Sequence, residues 1–175
     1  MPQPIVIVEH DPRWPENYED ERTRILSVIG HKIVAIEHIG STAVPGLGAK
    51  PIIDIMVAVH RISDSQECIE PLQDLGYKYH YYPEFPDRCV FVDGSMGVGP
   101  HHLHMTELMS DFWTEKLLFR DYLRTHPEIA EEYYRLKKEW AARYGADRDK
   151  YEAYTEAKTP FIQSVLVKAR TESQS

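Results

Sequence analysis

The chain has 175 residues and only two cysteines, Cys68 and Cys89. Two thiols make no disulfide framework, and their spacing is not that of a metal finger. Basic residues are also scarce. Twenty Lys and Arg face 28 Asp and Glu, for a formal net charge of −8. That balance works against tracking the phosphate backbone of an extended nucleic acid, which needs a positive surface, but it leaves room for a pocket holding one nucleotide. No apolar run approaches the roughly 20 residues that cross a bilayer. Met1-Pro2-Gln3-Pro4 lacks the basic and long apolar regions of a secretory signal. Internal repeats, low-complexity tracts and linkers are missing too. What is present is 42% apolar residues, enough for a packed core. The expectation is a soluble, cytoplasmic chain without membrane contact.

The first 110 residues alternate between strand and helix patterns, and the remainder reads as helix. Ile5-Val6-Ile7-Val8 is a β-branched run ended by Asp11-Pro12. Trp14 to Ile29 is helical, with Tyr18, Ile25, Leu26 and Ile29 available for one face and Gly30 as the stop. Lys32 to Ile39 is a strand that runs into a shaped loop, Gly40 to Gly48. Pro51 to Val59 is the most apolar stretch and reads as a strand buried on both faces, broken only by Asp54. A helix capped by Ser63 or Asp64 runs to Leu75, and residues 77–92 make a hairpin or two strands. After a turn from Asp93-Gly94 to Gly99-Pro100, His101 to Met105 forms another strand.

Beyond Ser110, Thr125-His126-Pro127-Glu128 carries a helix-start signature with Thr125 as cap. The stripe Ile129, Tyr133, Leu136, Trp140, Tyr144 follows, closed by Gly145. A last helix from about Asp147 carries Tyr151, Tyr154, Lys158, Phe161 and Val165, with Pro160 expected to kink or restart it. The expected fold class is α/β (α+β): a mixed sheet of four to six strands flanked by helices, with residues 1–110 as core and 111–175 as a C-terminal helical extension of one domain.

The chemistry concentrates in Ile39-Gly40-Ser41, twelve intervening residues, then Asp54-Ile55-Met56-Val57. A glycine lets the backbone approach a ligand closely, and a serine hydroxyl with turn amides holds phosphate. A carboxylate on the next strand can hold a divalent cation against that phosphate. An ionised Asp54 inside an apolar strand costs several kcal/mol unless donors or a cation face it. The alternating run His101 to Met105 puts His102 and His104 on one face, where they converge on Asp54 if the two strands are neighbours. Two imidazoles and a carboxylate suit Zn²⁺, Mn²⁺ or Fe²⁺; the bland alternative is one core histidine and one surface histidine. Lys158 lies on an apolar stripe, so its stem snorkels to water or its ammonium meets an anion in a cleft. Arg120 and Arg124 share a helix face and either grip phosphate or pair with Asp121 or Glu128. Lys50 neutralises phosphate or is an exposed loop charge. His38 reads as a satisfied core residue, and 131–143 as a solvated helix face laced by ion pairs.

The motif Glu37-His38-Ile39-Gly40-Ser41-Thr42-Ala43-Val44-Pro45-Gly46-Leu47 with Lys50-Pro51-Ile52-Ile53-Asp54-Ile55 resembles the GrpB family. That family looks like part of the nucleotidyltransferase superfamily, with its DNA polymerase β-like fold. The likeness continues in His102-Leu103-His104, in Leu118 to Arg124, and in Ala157-Lys158 with Phe161-Ile162, and it covers nearly the whole chain. The resemblance implies that an NTP or related small phosphate ligand is bound with a divalent metal, Mg or Mn with Zn possible, and that a nucleoside monophosphate passes to a small acceptor. Gly40, Ser41 and Thr42 would cradle the phosphates and Lys50, Arg120 and Lys158 would bind them. Asp54, His102 and His104 would hold metal, with His104 as general base. The superfamily's second carboxylate falls on Met56, which offers no hard oxygen. Two alternatives follow from that departure. One is a non-catalytic nucleotide or anion binder that has lost the second acid; the other is a metal-dependent hydrolase built on Asp54, His102 and His104. GrpB-like segments also resemble a domain fused to dephospho-coenzyme A kinase in some bacteria.

Overall fold

In the computed structural model, residues 5–94, 99–145 and 151–173 are described. Helix α1, Trp14–Ile29, has Pro15 in its first turn and buries Trp14, Tyr18, Glu21, Ile25 and Ile29 along one face. Gly30 ends it, its N–H returning to the Leu26 carbonyl at 3.0 Å. Then come β1 (Ala35–Ile39), β2 (Ile53–Val59), α2 (Gln66–Asp74), β3 (Tyr77–His80), β4 (Arg88–Asp93) and β5 (His101–Glu107). Three helices follow: α3 (Asp111–Thr125), α4 (Pro127–Tyr144) and α5 (Tyr151–Ser173).

The five strands form one sheet in the order β1-β2-β5-β4-β3. Only β2 and β5 are parallel; the other neighbours are antiparallel. A parallel pair needs a crossover, and α2 with the β3–β4 hairpin supplies it. Ile53, Ile55, Val57 and Val59 of β2 join Leu103, Met105 and Phe91 in the core under α1 and α2. The alternate residues Met56 and Ala58 pack under Trp113 of α3. β2 is therefore buried on both faces, and Asp54 is the one residue of it that stays partly open.

Several local expectations need correction. Ile5 to Val8 makes a single bridge, Val8 to Ala49, instead of a strand; Pro51 has no N–H with which to extend the ladder. Thr125 ends α3 and gives its hydroxyl to the Asp121 and Tyr122 carbonyls, so it does not cap α4. His126 alone separates the helices, leaving Pro127 to start α4. The helix does not restart at Pro160, because α5 runs through it. Pro160 and Glu156, whose carbonyl the proline leaves unpaired, are both solvent-exposed, so water can serve that carbonyl. The expected helix start at Asp147 and residues 95–98 of the turn lie outside the described residues.

Candidate functional site

At the end of β1 the chain turns through Gly40, at φ +74°. A Cβ there would stand 2.6 Å from Asp54 Oδ2, so only glycine lets the turn close over the carboxylate. The next residues, Ser41–Ala43, form one 3-10 turn. Helices α3 and α4 clamp this loop: Arg124 Nε donates to the Ala43 carbonyl at 2.9 Å. Val44 and Leu47 pack on Leu123, Ala130 and Tyr133.

Ser41 and Thr42 part company. The Thr42 hydroxyl points inward, donating to the Ile52 carbonyl at 3.4 Å and meeting His38 Nε2 at 2.9 Å. With its proton given to Ile52, Thr42 receives its second hydrogen bond from His38. The His38 ring stacks on Tyr18, 4.6 Å between centroids, and burial pushes its pKa down to about 4. Thr42 thus holds the scaffold and does not face a ligand, contrary to the expectation for it. Ser41 Oγ does face the cleft, where it accepts from Lys137 Nζ at 2.8 Å.

The parallel register sets Asp54 opposite His102 and Met56 opposite His104. Asp54 Oδ1 lies 3.9 Å from His102 Nδ1 and 3.9 Å from His104 Nε2, so the three side chains converge. The other ring nitrogens, His102 Nε2 and His104 Nδ1, are buried without hydrogen-bond partners. Burial pushes the Asp54 pKa up, but the approach of His104, then of His102 and Lys50, outweighs it, and the net direction is down. Burial is also the main force lowering His102, which favours the neutral imidazole. Met56, where a second carboxylate was sought, is fully buried against Ile39 and Trp113. Its β1 neighbour Glu37 lies on the same face but is engaged by Arg120.

Cations gather opposite Asp54. Lys137 is only 3% exposed, donates to Ser41 Oγ and to the Gly48 carbonyl at 2.6 Å, and lies 4.6 Å from the Tyr133 ring centre. Burial, then repulsion from Lys158 and Lys50, pulls its pKa down to about 7. The ammonium groups of Lys50 and Lys158 stand 5.5 Å and 4.9 Å from the centre of one ring, that of Tyr154. Lys158 is lowered to about 8 by burial first and by Lys50 and Lys116 next. Asp54 is the carboxylate that acts on both Lys137 and Lys158.

Arg120 is not part of this cluster. It is buried, donating to Glu37 at 2.7 Å, to the His38 carbonyl at 2.9 Å and to Asp121 at 2.7 Å. These scaffold acceptors take the Nε and Nη1 donors and hold the guanidinium against β1 and α3. Lys137 was missed in the sequence, where 131–143 reads as a solvated face. The available signal was its position four residues after Tyr133: α4 buries Ala130, Tyr133 and Lys137 in one line.

Other polar groups lie on the opposite sheet face. A cleft of about 440 Å³ is lined there by Trp14, Asn17, Pro51 and His101 among others, and does not reach Asp54. His101 Nδ1 meets Asp93 Oδ2 at 3.0 Å, and the buried Glu21 accepts from Tyr77 and Arg24. Among the described residues no three His, Cys, Asp or Glu side chains stand in chelating geometry.

A mixed sheet with a Gly-Ser turn laid over a strand-borne aspartate defines a nucleotidyltransferase-type fold. Comparison with solved structures agrees at the level of the fold. Cid1, an RNA terminal uridylyl transferase, superposes with a TM-score of 0.55 at 18% identity, over 79% of this chain and 42% of that one. The conserved protein GrpB from Enterococcus faecalis superposes with a TM-score of 0.85 at 31% identity, over 97% of this chain and all of that one. The family profile described as GrpB protein matches residues 4–168, and the chain belongs to the GrpB family. A UPF0157 protein of Pseudomonas aeruginosa is 39% identical over 94% of this chain and 67% of its own length. A dephospho-CoA kinase of Mycolicibacterium paratuberculosis is 28% identical over 95% of this chain, which spans 46% of that protein.

Proposed function

We propose that the cleft over Asp54 binds a nucleoside triphosphate or a related phosphate ligand together with a divalent cation, and that it passes a nucleoside monophosphate to a small acceptor. One observation carries this reading: Lys137, Lys158 and Lys50 converge at the Gly40-Ser41 turn with Asp54 as their opposing carboxylate, in a chain of net charge −8. Burying an ammonium against uncharged acceptors is costly. A polyphosphate would remove that cost by restoring charge balance.

The donor set, two imidazoles and a carboxylate, is one that transition metals take. Donors around a tetrahedral ion bonded at about 2.1 Å stand about 3.4 Å apart, and the two imidazole nitrogens are each 3.9 Å from Asp54 Oδ1. A closure of about 0.5 Å brings each imidazole nitrogen to that spacing from Asp54 Oδ1, and a lowered His102 pKa favours the neutral ring that a metal requires. Asp54, His102 and His104 are the residues that would hold Mn²⁺ or Zn²⁺. Such an ion, when bound, would neutralise charge developing on a phosphoryl oxygen. The lysines would position the leaving pyrophosphate and Ser41 would orient it, and His104, where its Nε2 is not on the metal, is the group placed to take the acceptor's proton.

The test is binding and pyrophosphate release with each NTP in Mg²⁺, Mn²⁺ and Zn²⁺. Asp54→Asn should abolish release while leaving the fold intact. Neither binding nor release under any combination would end this reading. Binding without release favours the second reading, a nucleotide-holding module, which the buried Met56 supports.

A further inference from the structure

Beyond the lysines and Asp54, one half of the same sheet face is open. β4 residues Val92 and Val90 pair with His102 and His104, and β3 residues Lys78 and His80 pair with Val92 and Val90. By the two-residue strand period these side chains share the Asp54 face. Trp113 of α3 covers Met56 and Ala58 toward β1. Over β3 and β4 the cover thins toward the sheet edge: Val92 is buried, Val90 and His80 are half-buried and Lys78 is exposed, whereas on the reverse face Tyr77, Cys89 and Phe91 are buried and Tyr79 is half-buried.

A continuous aromatic rim borders this floor. The Tyr82 ring lies 6.3 Å from His80 and 6.3 Å from Phe85. The Arg88 guanidinium stands 4.0 Å from the Phe85 centre and 4.3 Å from that of Phe112, and the Phe112 ring is 5.7 Å from His104. The rim therefore runs from solvent to the Asp54 cluster. Tyr82 and Phe85 remain 41% and 40% exposed, and grouped exposed rings mark binding surfaces. A separate observation points to a ligand with a polar edge. His80 Nε2, His102 Nε2 and His104 Nδ1, all on this face, are buried nitrogens without partners, and such atoms call for a hydrogen-bonding occupant. An aliphatic chain would leave them unpaired.

We propose that this open floor is a base-binding subsite: the heteroaromatic base of the nucleotide lies against Tyr82 and Phe85, its polar edge toward the histidine nitrogens. The inference rests on the phosphate reading above and adds where the base sits. The base would stack on the exposed surface of Tyr82 and Phe85, and Lys116, 5.2 Å from the Phe112 centre, is also near enough to Lys158 to lower its pKa.

The experiment compares inorganic tripolyphosphate with the four NTPs, by calorimetry on the full chain, for wild type, Tyr82→Ala/Phe85→Ala, and Tyr82→Phe. Stacking on an aromatic side chain contributes about tenfold or more in affinity. The wild type should therefore bind at least one NTP about tenfold more tightly than tripolyphosphate. The double variant should lose that advantage while holding tripolyphosphate unchanged, and Tyr82→Phe should keep it. Equal affinity of wild type for NTPs and tripolyphosphate, or an NTP advantage that survives the double substitution, overturns the subsite and leaves the phosphate reading standing. Failure of the wild type to bind tripolyphosphate and every NTP overturns both.

Discussion

Lys137 departs furthest from ordinary lysine chemistry. Its hydrogen-bond acceptors are a hydroxyl and a carbonyl, and its pKa has fallen from 10.5 to about 7. A base whose folded pKa is depressed costs stability below its unfolded pKa, with the full cost reached below the folded one. Lys137→Met should therefore melt no lower than wild type at pH 7, with any gain shrinking toward pH 10. Polyphosphate affinity should meanwhile drop about tenfold or more, the scale of a charge-assisted contact. Thermal scans and calorimetry on one variant separate the two effects, and a large loss of stability would make Lys137 a structural residue. His38 has the same sign. With its pKa lowered from 6.5 to about 4, its contribution is present above pH 6.5 and is lost as pH falls toward 4, about 3 kcal/mol in all. His38→Gln should flatten that part of the acid-stability curve in urea titrations.

At the scale of elements, β2 was the most legible part of the chain. An apolar run with one charge reads as a doubly buried strand, and Asp54 does stand at its open end. Gly30 and Gly145 marked helix ends for the usual local reason, since the N–H of each closes the last turn. The convergence of His102 and His104 on Asp54 followed from alternation once β5 was taken as β2's neighbour. Tertiary choices were not legible. Nothing local says that Thr42 turns to His38, that Arg120 turns to Glu37 and the His38 carbonyl, or that a helix of many charges turns one lysine inward. Burial decides each of these, and burial depends on which helix lies over the loop. Met56 makes the same point. Met56→Asp would place a carboxylate under Trp113 and should destabilise the fold by roughly 3–5 kcal/mol. Chemical denaturation would measure this; a stable variant with new pyrophosphate release would mean that α3 yields to admit a second acid.

The whole molecule is acidic, yet its cleft gathers lysines whose protons are loosely held. Anion binding must pull those pKa values back up, so it is linked to proton uptake. Affinity for tripolyphosphate should weaken as pH rises from 7 to 9, as Lys137 (about 7) and Lys158 (about 8) deprotonate in the free protein. Calorimetry in buffers of different ionisation heat would read the uptake directly; flat affinity over that range would mean that the two ammonium groups do not meet the ligand.

The acid of this cleft enters on the second strand and its last ammonium on the final helix. A bound polyanion would consequently act as a tie between the central strand and the C-terminal helix. Mass action then predicts slower amide exchange along α5 than in the ligand-free protein, so that the hold of the C-terminal helix on the sheet becomes a gauge of cleft occupancy.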